Sequence, residues 1–239
     1  MTVGAALDML RAEAPLHPIP DEDLRGQMSR FGIATQGAVL GLRVPQIRAV
    51  ARRIGRDQVL AEALWETGVH EARHLAGMVG DPGKISAETM DRWVSDFDSW
   101  DVCDGCASNL FDRTPHAWAK IREWAADDRE FVRRAAFAMI AVACVHDKSA
   151  PDSLFLDALP LLEQYAYDNR NFVRKAVNWA LRNIGKRNPA LRKAAIECAV
   201  RIREQNLPSA RWIAADALRE FRKLPIEKKR FGRELCTGI

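Results

Sequence analysis

The chain has 239 residues, 48% hydrophobic and 28% charged, with a net charge of +4; that fits a soluble protein burying one substantial core or a stack of small repeating units. No apolar run approaches the ~20 residues of a membrane span, and MTVGAALDMLRAEAP carries acidic groups where a secretory signal is basic and then apolar, so a cytoplasmic location is expected. Five cysteines, an odd number, suit a reducing compartment.

In chain order, residues 1–25 read as a short helix and a loop that includes His17, Pro18, Ile19 and Pro20. Helical segments follow as VPQIRAVARRIG from Val44, DQVLAEALWETG from Asp57, HEARHLAGMVG from His70 and SAETMDRWVSDF from Ser86. In DFDSWDVCDGCASNLF, a helix from about Trp100 buries Val102, Cys103, Cys106 and Leu110, and places Trp100 and Asp104 at i and i+4 on an adjacent face. A carboxylate beside an indole can stabilise a cation through its charge and through the ring quadrupole. The alternative is that Trp100 is core and that Asp101 or Asp104 caps a helix start. Next come TPHAWAKIREWAAD from Thr114 and DSLFLDALPLLEQYAYD from Asp152. Ser86, Thr114 and Asp152 are the expected N-caps, with Pro115 at a first helical position. No segment alternates at period two long enough to read as a strand.

The second half repeats itself. DDREFVRRAAFAMIA from Asp127 returns 41 residues later as DNRNFVRKAVNWALR from Asp168, and a weaker copy, PSARWIAADALREFRK, lies about 37 residues further on. Val132, Ala136, Met139, Ile140 and Ala143 correspond to Val173, Val177, Ala180, Leu181 and Ile184, the expected core stripes. A ~40-residue repeat with two helices per unit implies an all-α, HEAT-like solenoid with a binding surface on its concave side, read as a single domain over residues 1–239.

Charge is uneven. From Arg170 onward 18 Lys+Arg face 6 Asp+Glu (+12), whereas residues 1–169 carry 18 against 26 (−8). Such a polycation can steer an anionic polymer, although a charge run is also an ordinary solvated face. Opposite the core stripes, Arg134, then Lys175 with Trp179 and Arg182, then Trp212 with Asp216, Arg219 and Lys223 occupy equivalent faces, with Lys186 one turn beyond Arg182. An aromatic among cations suits a partner that is anionic and planar; alternatively, Trp179 packs under a neighbouring helix. The basic tail around Lys228, Lys229 and Arg230 is a second candidate surface.

Other chemistry finds less support. Cys103 and Cys106 form CxxC, but Cys144, Cys198, Cys236 and the histidines supply no second ligand pair at zinc spacing, and on a helix two cysteines three apart are ordinary core residues. His70, His74, His116 and His146 read as dispersed structural residues, so no metal is expected. GKRN at Gly185 lacks the framing of a phosphate loop.

With GLRVP at Gly41, SWDVCD at Ser99, FVRRAA at Phe131 and FVRKAVNWALR at Phe172, the chain resembles the AlkD-like DNA alkylation repair proteins, HEAT-like DNA glycosylases, from about Gly41 to Asn188. Matched residue by residue, the resemblance implies Trp100 and Trp179 as cleft aromatics, Asp104 as the catalytic carboxylate and Arg134 as a DNA contact; Phe31 is the candidate for a further, N-terminal aromatic. It implies hydrolysis of the N-glycosidic bond of cationic N3- or N7-alkylated purines in duplex DNA without a metal, nucleotide or flavin cofactor; apart from the resemblance, no membrane and no obligate protein partner are expected, and the chain is expected to be a monomer. Lys175, Arg182, Lys186, Arg219 and Lys223 are the further expected DNA contacts, and Asp216 the reserve carboxylate. Some relatives bind DNA without excision, so a non-catalytic module for damaged or branched DNA is the alternative; a protein-binding solenoid is a third.

Overall fold

The computed structural model describes residues 1–14 and 20–223. His17, Pro18, Ile19, the basic tail from Lys228 to Arg230 and Cys236 lie outside them. The described residues form thirteen α-helices and no strand. They are α1 (Val3–Ala12), α2 (Asp21–Arg30), α3 (Val44–Ile54), α4 (Gln58–Trp65), α5 (His70–Val79), α6 (Ala87–Ser95), α7 (Trp100–Asn109), α8 (Ala117–Ala125), α9 (Glu130–His146), α10 (Asp152–Tyr165), α11 (Asn171–Arg187), α12 (Pro189–Glu204) and α13 (Pro208–Phe221). None is long and apolar enough to cross a membrane. Residues 1–25 therefore contain all of one helix and the start of another, rather than a single helix and a loop.

Several starts follow local chemistry: Asp57, Ser86 and Asn188 accept a hydrogen bond from the main-chain N–H three residues on, at 2.9–3.1 Å, the N-cap arrangement. Two expected caps are displaced. A 3-10 turn at Phe111–Arg113 holds the Thr114 hydroxyl against the Phe111 carbonyl (2.9 Å), so α8 begins only at Ala117, beyond Pro115. Asp152 is the first residue of α10, and its carboxylate accepts from Asn188 Nδ2 at 2.9 and 3.0 Å instead of capping its own helix.

The odd-numbered helices pack side by side in sequence order, α1 on α3, α3 on α5, and so on to α11 on α13. Against this row lie α4 on α5, α8 on α9, α10 on α9 and α11, and α12 on α11 and α13. Such nearest-neighbour packing is what a helical-repeat solenoid requires, since no single unit covers its own apolar face. Both expected core stripes, Val132 to Ala143 on α9 and Val173 to Ile184 on α11, are buried. One apolar cluster continues from Ala6 to Phe221 and includes Trp65 stacked on Trp93 at 4.3 Å.

The sequence repeat also appears as repeated hydrogen bonding. Before α9, Asp127 Oδ1 accepts from the main-chain N and Nε of Arg129; before α11, Asp168 Oδ1 accepts the same pair from Arg170. Arg133 then links the two units, donating from Nη1 to Asp168 Oδ2 at 2.7 Å with both side chains buried. Gly185 serves packing: a Cβ there would run into the Phe221 ring, so α11 and α13 approach closely only because the residue is glycine.

Candidate nucleic-acid interface

Every candidate site residue on a helix falls on the odd-numbered row, on α7, α9, α11 or α13. On α7 the buried stripe is the expected one, Val102, Cys103, Cys106 and Leu110. Burial pushes the Cys103 and Cys106 thiols well above their ordinary range, which removes the thiolate that a metal or redox site would use. Trp100, half-buried, opens the helix, and Asp104 follows one turn later with its side chain only 19% exposed. The Trp100 indole Nε1 donates to the Phe31 carbonyl at 3.0 Å. This fixes the Phe31–Gly32 turn, where Gly32 has φ of 74° and a Cβ would sit 3.2 Å from the Phe172 ring. The Phe31 side chain is left 74% exposed.

Arg134 differs from its expected place on an outer face: it is only 6% exposed. Its Nε and Nη2 donate to Asp104 Oδ1 and Oδ2 at 2.9 and 2.7 Å, and Nη1 donates to the Phe172 carbonyl at 2.6 Å. The physical reason is Asp104, whose buried carboxylate requires a charged partner, and the guanidinium fork matches both oxygens at once. Burial pushes the Asp104 carboxyl above its ordinary value, against the pull of Arg134. Phe172, which sequence reasoning passed over as a site residue, lies between these parts, its ring 5.3 Å from Phe131 and 5.9 Å from the Arg134 guanidinium. The available signal was the Phe that precedes Val-Arg in both repeats.

On α11, Trp179 is half-buried against the core and Lys175 is exposed, with no partner among the described residues. The other cations there are not free. Arg182 pairs with Asp216 and Glu220, and Lys186 with Glu220 at 2.9 Å. Arg219 pairs with Asp216, which also accepts from Asn178 Nδ2 at 2.7 Å, so the reserve carboxylate is held by three donors. Lys223 is exposed and unpaired among the described residues. Arg174 places its guanidinium over the Trp212 ring at 5.1 Å.

A further cluster was not anticipated. His70 and His74, on one face of α5, both bring Nε2 to Asp101 Oδ2 on α7, at 2.9 and 3.1 Å. The two imidazoles hold the Asp101 carboxyl far below its ordinary range despite its burial, and His70 is raised in turn by Asp101 against desolvation. Glu71, between them, is buried and accepts from the main-chain N–H of Leu40, Gly41 and Leu42 at 2.8–3.1 Å. The i, i+4 spacing in HEARH pairs the imidazoles; nothing local points to Asp101.

Residues 12–221 match the sequence profile of a family described as DNA alkylation repair enzyme. The chain belongs to the DNA alkylation repair enzyme family. The matched span contains Trp100, Asp104, Arg134 and Trp179, the four residues on which the resemblance rests. Among solved structures it is similar to one described as a new family of proteins related to the HEAT-like repeat DNA glycosylases with affinity for branched DNA structures. The TM-score is 0.70 over 84% of this chain and 83% of that one, at 20% identity, a likeness of fold. No curated protein matches the sequence at a significant level.

Proposed function

We infer that this member of the DNA alkylation repair family binds duplex DNA along its odd-numbered helices and hydrolyses the N-glycosidic bond of N3- or N7-alkylated purines. The supporting observation is the Asp104 carboxylate, held one turn from the Trp100 indole and aimed by the two-pronged contact with Arg134. As the glycosidic bond lengthens, positive charge grows on the sugar. A carboxylate already fixed in place stabilises that charge without reorganisation, and the indole faces of Trp100 and Trp179 add a quadrupolar attraction. The alkylated base is itself cationic and leaves without a proton, so no second acid is needed. Arg134 acts as a positioning residue. The exposed Lys175 and Lys223 are assigned to phosphates, with Arg182, Lys186 and Arg219 contributing to the extent that Asp216 and Glu220 release them. The same reading takes the whole chain as one HEAT-like domain with a concave basic face, acting as a cytoplasmic monomer.

A second reading, recognition of damaged or branched DNA without excision, is favoured by one observation: Arg134 already compensates the Asp104 charge. A gel-shift salt series on intact, alkylated and four-way-junction duplexes, followed by single-turnover assay of alkylpurine release, separates the two. Release abolished by Asp104→Asn supports excision. Tight junction binding with no release at any protein concentration supports the module.

A further inference from the structure

The cluster of His70, His74 and Asp101 is given no role in the DNA reading, although it borders that site: Asp101 follows Trp100, and Phe31 helps wall its cavity. Its three ligand-type atoms lie within 4.8 Å of one another and its side chains are largely buried. Separations of 2.9 and 3.1 Å from each Nε2 to the shared oxygen are close to the ~3.3 Å edge of a tetrahedron with ligand bonds of about 2.0–2.1 Å. The protein atoms alone leave one carboxylate oxygen of the cluster unsatisfied: Asp101 Oδ1 is buried without a hydrogen-bond partner, a state that an ion or ordered water at the cluster would relieve. The cluster also has an approach. It lines a cavity of about 330 Å³ between α2, α3, α5 and α7, walled by Met28, Phe31, Leu42 and Ile47.

We propose that His70, His74 and Asp101 form a binding site for one divalent transition-metal ion, with a remaining coordination position facing the cavity. Two imidazoles and one carboxylate suit Zn²⁺ and its neighbours better than Ca²⁺ or Mg²⁺, which take oxygen ligands. Three protein ligands leave room for solvent or a small ligand. The run His70-Glu71-Ala72-Arg73-His74 has the spacing of a hydrolytic zinc helix, whose glutamate is a general base. Here the Glu71 carboxylate is occupied by three main-chain N–H groups, so peptide hydrolysis does not follow from the spacing. The ion instead joins α5 to α7 beside Trp100.

The test uses the full chain, stripped with chelator and desalted, at a pH where imidazole is neutral. Co²⁺ is titrated while visible d–d absorption is followed, and Zn²⁺ affinity is measured against a chromophoric chelator. One equivalent is expected, with His70→Gln, His74→Gln and Asp101→Asn each weakening it at least about tenfold, the lower limit seen even for outer-shell changes. His116→Gln leaves binding unchanged. A readout on the unmutated protein guards against variants that misfold: Zn²⁺ should shift the ring-nitrogen resonances of two of the five histidines and raise the melting temperature. Absence of stoichiometric binding, equal affinity in the folded His74→Gln variant, or shifts spread over all histidines would overturn the site.

Discussion

Arg134 and Asp104 lie 30 residues apart in the chain and meet through two parallel hydrogen bonds, 2.9 and 2.7 Å long, with the arginine almost wholly buried. Removing the arginine therefore strands a buried carboxylate. Arg134→Ala should cost about 3–5 kcal/mol of stability, visible as a lower denaturation midpoint without DNA. The double variant Arg134→Met, Asp104→Leu should recover most of that loss. An Arg134→Ala protein of unchanged stability whose only defect is weaker DNA binding would contradict the buried role.

For the proposed chemistry, Asp104→Asn keeps the size of the side chain and removes its charge. Single-turnover release of a cationic alkylpurine should fall on the order of 10²-fold or more, with duplex affinity little changed. Asp216→Asn, on α13 and tied to Asn178, Arg182 and Arg219, should leave the release rate near that of the parent. The opposite ranking would move the catalytic carboxylate to α13.

Exposed and paired cations should separate in a salt titration. Lys175→Gln is expected to lower affinity for unrelated duplexes alike and to reduce the salt slope by about one unit, whereas Lys186→Gln, already neutralised by Glu220, should do less. Glu220→Gln frees Lys186 and leaves Arg182 with Asp216 alone, and should tighten non-specific binding and steepen its salt dependence.

Asp168 ties Arg133 to Arg170 between repeats. Desolvation pushes its carboxyl up, but hydrogen bonds from Arg170 and Arg133 outweigh this and hold it below the ordinary value. A depressed folded value means that the stabilisation is complete above the unfolded value of about 4 and declines as pH falls through the folded one. Asp168→Asn should therefore destabilise the protein at pH 7, and its melting temperature should fall less steeply on acidification than the parent's. Parallel acid limbs in the two proteins would refute the assignment.

The fold was legible because its signal is periodic. The stripe from Val173 to Ile184 recurs on α9, and burial follows it. The α7 ledge of Trp100 and Asp104 was readable for the same reason, being four residues apart on one helix. What periodicity does not carry is the identity of partners across helices. Arg134 looked like an outer cation because its own helix cannot reveal Asp104, and Arg182 and Lys186 looked free because Glu220 lies on another helix. His70 and His74 appeared as isolated residues since their shared acceptor stands 31 and 27 positions away.

The Arg133–Asp168 pair has no successor. Thirty-seven residues after Asp168 stands Gln205, which donates to the Glu163 carbonyl, and the arginine that would have reached it, Arg174, rests over Trp212 instead. The seam between α9 and α11 is thus bolted ionically, whereas the one between α11 and α13 is held by packing and by more exposed pairs. In a one-dimensional array, stability is set seam by seam, so fraying should begin at α13 and halt at α11. Amide exchange would report this as a step in protection along the chain, with α12 and α13 opening as a unit while the α7–α9–α11 block stays closed.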